Sequence, residues 1–207
     1  AACAPIVAAK RSMLGPERFR NAGWSVKDVI DRGIPGAIVE CGTYRCGALA
    51  FMARVVKESG KARGVWGFDT FTGIPAPGEH DGAKSAGRGF SGDLLATLDD
   101  ARATLGLAKV NPDSVNLVQG LFQDTLHATR DKIGPIAVLR LDGDWYESTK
   151  VCLDQLYDQV QPGGWIIIDD YGHWEGCRIA VDEFLAARGL KPELKATDYT
   201  ERCWVKE

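Results

Sequence analysis

The chain has 207 residues, 45% of them apolar and 26% charged, with a formal net charge of −3. That length supports one domain whose core needs no disulfide staples. The mild acidity and lack of a basic cluster argue against a nucleic-acid partner, and no apolar run approaches the roughly 20 residues of a membrane span.

The chain begins Ala1-Ala2-Cys3-Ala4-Pro5 without an initiator methionine or a signal-peptide layout. It reads as a trimmed or partial chain, and a cytoplasmic location rests on that missing signal. Ser12-Met13-Leu14-Gly15-Pro16 is a punctuated segment, after which Val26, Val29 and Ile30 share a helical face ending at Gly33 and Pro35. Ala37–Cys41 reads as the first strand and Gly42–Gly47 as the turn after it. Leu49, Met52, Ala53 and Val56 then recur at amphipathic helical spacing. Gly60 stops that helix, and Gly64–Asp69 is the second strand.

Residues Gly73 to Gly92 carry six glycines and two prolines. No regular element is expected there, and a connection of that length is either a functional lid or disordered. Leu94, Leu98, Ala101 and Leu105 restore helical spacing; Ser114–Gln119 and Ile136–Asp142 are the third and fourth strands. Cys152, Leu153, Leu156, Tyr157 and Val160 mark another helix, which Gly163-Gly164 turns into a fifth strand, Trp165–Ile168. A helix from Glu175 to Gly189 and a terminal hairpin, Glu193–Thr197 with Arg202–Val205, complete the chain. Strand and helix alternate throughout, so the fold expected is a doubly wound α/β sheet, mostly parallel, with a C-terminal antiparallel hairpin. The expected organisation is a lid segment and first helix over residues 1–35 and a single domain over 36–207. The six cysteines form no Cys-x-x-Cys pair and read as small buried apolar residues.

Chemistry gathers at the strand ends, where open α/β sheets place their ligands. Ile136–Leu141 runs into Asp142-Gly143-Asp144, and Trp165–Ile168 into Asp169-Asp170. If those strands are neighbours, three or four carboxylates converge, and such mutual repulsion calls for a cation, first of all a divalent metal. The first turn, Glu40-Cys41-Gly42-x-x-x-x-Gly47, lacks the Gly-x-Gly-x-x-Gly dinucleotide fingerprint because position 44 is Tyr. Glu40 suits a ligand carrying an ammonium or sulfonium group; its plainer reading is a solvated acid beside a tight turn. Asp69 stands where nucleoside-binding folds hold ribose hydroxyls, or it is a turn cap. Gln119-Gly120 is a further candidate contact or a plain turn.

These pieces resemble the macrocin-type O-methyltransferases: Glu40-x-Gly42, Phe68-Asp69-Thr70-Phe71-x-Gly73-Ile74-Pro75, Leu141-Asp142-Gly143-Asp144-x-Tyr146 and Ile168-Asp169-Asp170-Tyr171, from about Met13 to the C-terminus. The resemblance implies a class I, Rossmann-like methyltransferase that uses S-adenosylmethionine, releases S-adenosylhomocysteine, depends on Mg²⁺ and methylates sugar hydroxyls in antibiotic pathways. It implies Asp142, Asp169 and Asp170 as metal ligands, with Asp142 also near the cofactor. Glu40 and the turn Gly42, Thr43, Tyr44 and Gly47 would hold the methionine part, Asp69 the ribose, and Gln119, Gly120 and Phe122 would lie near the adenine, with Thr70 also at the cofactor. Met13 and Leu14 would close over the cofactor. Relatives are oligomers, so a homo-oligomer is expected.

Mg²⁺ on two vicinal acceptor oxygens would acidify one hydroxyl and fix its line of attack. Asp144 is the first candidate for the base and His173 the second. Asp144 can instead be an outer partner of a metal ligand or the N-cap of the next helix, and His173 a satisfied loop histidine. Tyr146 and Trp174 either line the acceptor pocket or pack. Some relatives use a loop histidine, for which His80 is the one residue available in Gly73–Gly92. Three alternatives stand beside this reading: a catechol-type O-methyltransferase, a metal-dependent hydrolase or phosphatase built on Asp142-x-Asp144, and a binding module without turnover. Phosphatases of that type carry the motif on their first core strand, and here it follows the fourth.

Overall fold

The computed structural model describes residues 4–85 and 94–207. Cys3 and the second part of the glycine-rich stretch, residues 86–93, lie outside them. Helices α1 (Ala4–Ala8) and α2 (Pro16–Asp31) precede strand β1 (Ala37–Cys41). Then follow α3 (Gly47–Ser59), β2 (Val65–Asp69), α4 (Gly82–Ser85), α5 (Leu98–Leu107), β3 (Asn116–Gln119) and α6 (Phe122–Ile133). The rest is β4 (Ile136–Leu141), α7 (Tyr146–Leu156), β5 (Val160–Ile168), α8 (Glu175–Ala187), β6 (Lys195–Ala196) and β7 (Arg202–Val205).

The seven strands form one sheet in the order β3-β2-β1-β4-β5-β7-β6. β1 to β5 are parallel, and β7 runs antiparallel to both β5 and β6. The chain winds outward from β1 through β2 to β3, then returns to place β4 on the other side of β1. That reversal is the switch point outside which doubly wound sheets bind ligands. Register brings the strand ends level: Cys41 pairs with Phe68 and Leu141, and Leu141 with Ile168. The residues that follow, Gly42, Asp69, Asp142 and Asp169, therefore leave the sheet along one edge.

Two-residue alternation then assigns each side chain to a face. Ile38, Val138 and Ile167 pack with α2, α3 and α5 residues such as Val26, Met52 and Leu105, whereas Val39, Leu139 and Ile166 pack with Leu126, Leu153 and Val181 of α6, α7 and α8. Glu40 and Arg140 fall in the same phase as Ile38 and Val138. Two charges thereby enter the layer beneath α2.

Some boundaries depart from the sequence expectation. α5 starts at Leu98, not Leu94, because Thr97 and Asp100 form a reciprocal capping box and Leu94 sits at φ +56°. Val160 belongs to β5, where it pairs with Ile136, rather than to a helix face; a ³10 turn, Tyr157–Gln159, separates it from α7. The start of the glycine-rich stretch is not featureless either, since Glu79–Asp81 forms a ³10 turn and Gly82–Ser85 a short helix. Cys41, Cys46, Cys152, Cys177 and Cys203 are buried free thiols.

Candidate active site

A cavity of about 600 Å³ opens over the C-terminal ends of β1, β2, β4 and β5. At its floor, Gly42 has φ +88°, and a Cβ there would stand 1.7 Å from the carbonyl oxygen of Asp142. Only glycine lets β1 and β4 stay adjacent at this point while the chain turns. The ladder continues past the strands, with Gly42 N–H donating to Phe68 O, Asp142 N–H to Cys41 O and Asp169 N–H to Leu141 O, each at 2.8 Å. The acidic residues are thus mounted on extensions of the sheet rather than on mobile loops.

Glu40 is 1% exposed, so the reading of a solvated acid is corrected. Its Oε1 accepts from Arg140 Nη1 at 2.7 Å, and its Oε2 is buried without a partner. Burial, with Asp142 and Asp169 adding repulsion against the pull of Arg140, raises its carboxyl to about 8. Arg140 Nη1 also donates to Asp142 Oδ2 at 2.7 Å, while Nη2 donates to Asp169 Oδ1. Burial works against the guanidinium charge, but Asp169, Asp142 and Glu40 hold Arg140 firmly cationic. Arg18, reaching down from α2, donates to Asp169 Oδ2 and stands 3.1 Å from Asp198 through Nε. The sequence flags Arg140 only as a charge inside an otherwise apolar strand, and nothing local marks Arg18.

Asp142, Asp169 and Asp170 each offer an oxygen within 4.8 Å of the others. Burial first, and then Asp142, lifts Asp169 to about 7; burial and Asp144 raise Asp170. A cluster whose members resist ionising together, and whose donors are hard oxygens, fits a divalent cation. The two arginines balance part of the charge through Asp142 Oδ2 and both oxygens of Asp169, and these oxygens, with those of Asp170, retain acceptor capacity.

Asp144 adopts φ +61°, and its backbone N–H donates to Asp170 Oδ2 at 3.2 Å. Its Oδ1 accepts from Trp174 Nε1 at 2.8 Å, and burial followed by the charge of Asp142 raises it to about 8. It is not the N-cap of α7, a position that Trp145 holds. His173 lines the cavity with Nδ1 3.1 Å from the Tyr199 hydroxyl, and Trp174 lines it as well. His80 does not line it; its ring packs 4.3 Å from that of Tyr146.

Asp69 lines the cavity but is also the organiser of the first turn. Its Oδ2 accepts from the Thr43 and Tyr44 amides at 2.9 and 2.8 Å, and its Oδ1 from the Phe71 amide at 2.8 Å and the Thr70 hydroxyl at 3.4 Å. A ribose at Asp69 would share acceptors already in use. Met13, Leu14, Thr43, Tyr44, Thr70 and Phe122 line the cavity too. Gly47, Gln119 and Gly120 do not: a Cβ at Gly47 would meet Arg11 O at 2.5 Å, Gln119 Nε2 donates to Thr70 O, and Gly120 N–H donates to Asp69 O.

A family profile described as "Macrocin-O-methyltransferase (TylF)" matches residues 3–206. The chain is 36% identical over 197 residues to the 8-demethyl-8-(2,3-dimethoxy-alpha-L-rhamnosyl)-tetracenomycin-C 4'-O-methyltransferase of Streptomyces olivaceus, covering 93% of this chain and 74% of that protein. It is 34% identical over 205 residues to the demethyldecarbamoylnovobiocin O-methyltransferase of Streptomyces niveus, with the same two coverages. The solved structure of the O-methyltransferase NovP superposes with a TM-score of 0.85 at 34% identity, over 95% of this chain and 82% of that one.

Proposed function

We propose the following reaction from the premise that this chain belongs to the macrocin O-methyltransferase family and is an S-adenosylmethionine-dependent O-methyltransferase of class I fold. The acceptor is a sugar hydroxyl with a vicinal oxygen, on a natural product or saccharide, and the reaction depends on Mg²⁺. The observation that carries this reading is the meeting of Asp142, Asp169 and Asp170 beside Glu40 and the Gly42 turn in one cavity.

When bound, the sulfonium donor supplies an electrophilic methyl group, and the metal acidifies the acceptor hydroxyl and fixes its orientation. Glu40 Oε2, buried and unpartnered, accepts from the ammonium of the methionine part. The Thr43–Tyr44 turn, held by Asp69, shapes the wall beside it. Asp142, Asp169 and Asp170 would hold the cation. Asp144 takes the acceptor proton: it lines the cavity two residues after Asp142, and Trp174 fixes one of its oxygens. His173 is the second candidate for that proton. Met13 and Leu14, at the mouth, close over the donor as part of the segment 1–35 that precedes the domain 36–207.

The surroundings of the cavity favour a glycoside with an apolar aglycone over a nucleotide-linked sugar. Among the described residues, Arg18 is the only lysine or arginine lining it, and Arg18 is engaged by Asp169 and Asp198. Among the described residues a diphosphate would meet no free cationic side chain, whereas Met13, Leu94, Leu121 and Tyr199 present exposed large side chains at the cavity. Among the described residues no helix is long and apolar enough to cross a membrane.

Calorimetry with S-adenosylhomocysteine and Mg²⁺, followed by labelled S-adenosylmethionine with rhamnosides and catechols, tests the reading. Binding of both ligands and transfer to a glycoside is the expected result. Mg²⁺ binding without S-adenosylhomocysteine binding would sink the methyltransferase mechanism, and transfer to catechols alone would overturn the acceptor class.

A further inference from the structure

The wall of the cavity formed by Gly73, Ile74, Pro75 and Gly78 is fastened by one carboxylate that lines the same cavity but is not one of the Asp142–Asp169–Asp170 set. Asp81 is 1% exposed. Its Oδ1 accepts the Tyr146 N–H at 2.7 Å, and its Oδ2 accepts the Gly78 N–H, also at 2.7 Å. Tyr146 opens α7, whose N-cap residue Trp145 gives no side-chain hydrogen bond to the amides of the helix itself. Asp81 therefore caps α7 from 65 residues away, with its charge against the positive end of the helix. A second tie runs the other way, from Trp145 Nε1 to Pro75 O at 2.7 Å. The start of α8 is shaped around this anchor: a Cβ on Gly176 would stand 1.9 Å from Asp81 Oδ1.

Asp142, Gly143 and Asp144 lead directly into Trp145 and Tyr146, so the Gly73–Gly78 wall and the acidic loop share this fastening. We propose that Asp81 is a positioning residue for the acceptor: it holds the wall in register with the Asp142–Asp144 loop and so sets acceptor affinity without touching the donor. This rests on the methyltransferase reading above. It makes the first part of the glycine-rich stretch a built wall before any ligand arrives.

Two substitutions attack the anchor from opposite sides. Asp81→Asn keeps the shape but turns an amide NH₂ toward one of the two N–H donors. Gly176→Ala leaves Asp81 intact and fills its space. With para-nitrophenyl α-L-rhamnoside and labelled S-adenosylmethionine, each should raise the acceptor KM about tenfold, the scale expected of a lost cap, with kcat and S-adenosylhomocysteine affinity changed about twofold or less. An unchanged KM, or an equal loss of S-adenosylhomocysteine affinity, would overturn the proposal. Hydrogen exchange without acceptor is the second measurement. The Gly78 and Tyr146 amides should exchange slowly in the wild type and faster in either variant that folds; fast exchange in the wild type, or none gained in the variants, also overturns it. A wild type that binds S-adenosylhomocysteine but does not methylate the rhamnoside strikes the acceptor class of the proposed function, and the exchange result still decides the role of Asp81.

Discussion

Arg140 and Glu40 face one another across the β1–β4 pair, with Nη1 2.7 Å from Oε1 and both side chains buried. The same guanidinium reaches Asp142 and Asp169. One cation thus joins the acid assigned to the donor with two of the three assigned to the metal. Removing it would leave three acids facing one another, Glu40 and Asp169 buried and Asp142 at the cavity.

Arg140→Leu should therefore cost about 3–5 kcal/mol of stability, the usual penalty for breaking a buried ion pair from one side. Urea denaturation checks this. Mg²⁺ should recover part of the loss, since a second source of positive charge then reaches Asp142 and Asp169. A variant as stable as the wild type in chelator would show that the network carries little of the fold.

Asp169→Asn should lose Mg²⁺ affinity and turnover while S-adenosylhomocysteine binding through Glu40 and the first turn largely survives. Two calorimetric titrations settle it. Equal loss of both ligands would mean that the carboxylates serve the fold rather than a metal.

Glu40 gives a pH signature. Its folded carboxyl sits at about 8 against an ordinary 4.5, mainly because it is buried. A group raised on folding contributes stability that is fully present below its unfolded value and lost as pH rises through its folded one. In ligand-free, metal-free protein, Glu40→Gln should therefore gain stability relative to the wild type as pH climbs from about 4.5 to about 8, and should bind S-adenosylhomocysteine more weakly. Parallel stability curves for the two proteins across that window would refute the assignment.

Gly42→Ala tests the floor of the cavity. Its φ of +88° and the 1.7 Å approach to Asp142 O leave no room for a methyl group. Separating β1 from β4 here should cost about 1–3 kcal/mol, the range for forced strain in a packed interior, and should abolish measurable turnover. Retained activity in a variant of unchanged melting temperature would show that the strands can part at this point without consequence.

The alternation of apolar runs and helical faces placed β1, β2, β4 and the body of β5 within a residue or so, because buried parallel strands have few ways to be written. Boundaries failed where a cap or a pairing partner overrode the local pattern. Thr97 and Asp100 start α5 after two exposed leucines, and Ile136 recruits Val160 into the sheet. The acids at the strand ends were legible for the same reason as the strands: an apolar run that stops in Asp-Gly-Asp or Asp-Asp leaves little else for those residues to do.

The residues alone therefore determined the inventory and its order: five parallel strands and a terminal hairpin, acids at the ends of β2, β4 and β5, and a glycine where β1 must turn. Local pattern suffices for that, since period and punctuation act within a few residues. Which charges meet was decided by tertiary structure alone. Parallel register sets Glu40 beside Arg140 at a separation of 100 residues, α2 brings Arg18 to Asp169, and Asp81 caps a helix 65 residues further on. Such contacts depend on how strands are ordered and which face each side chain takes, and no short-range spacing encodes either.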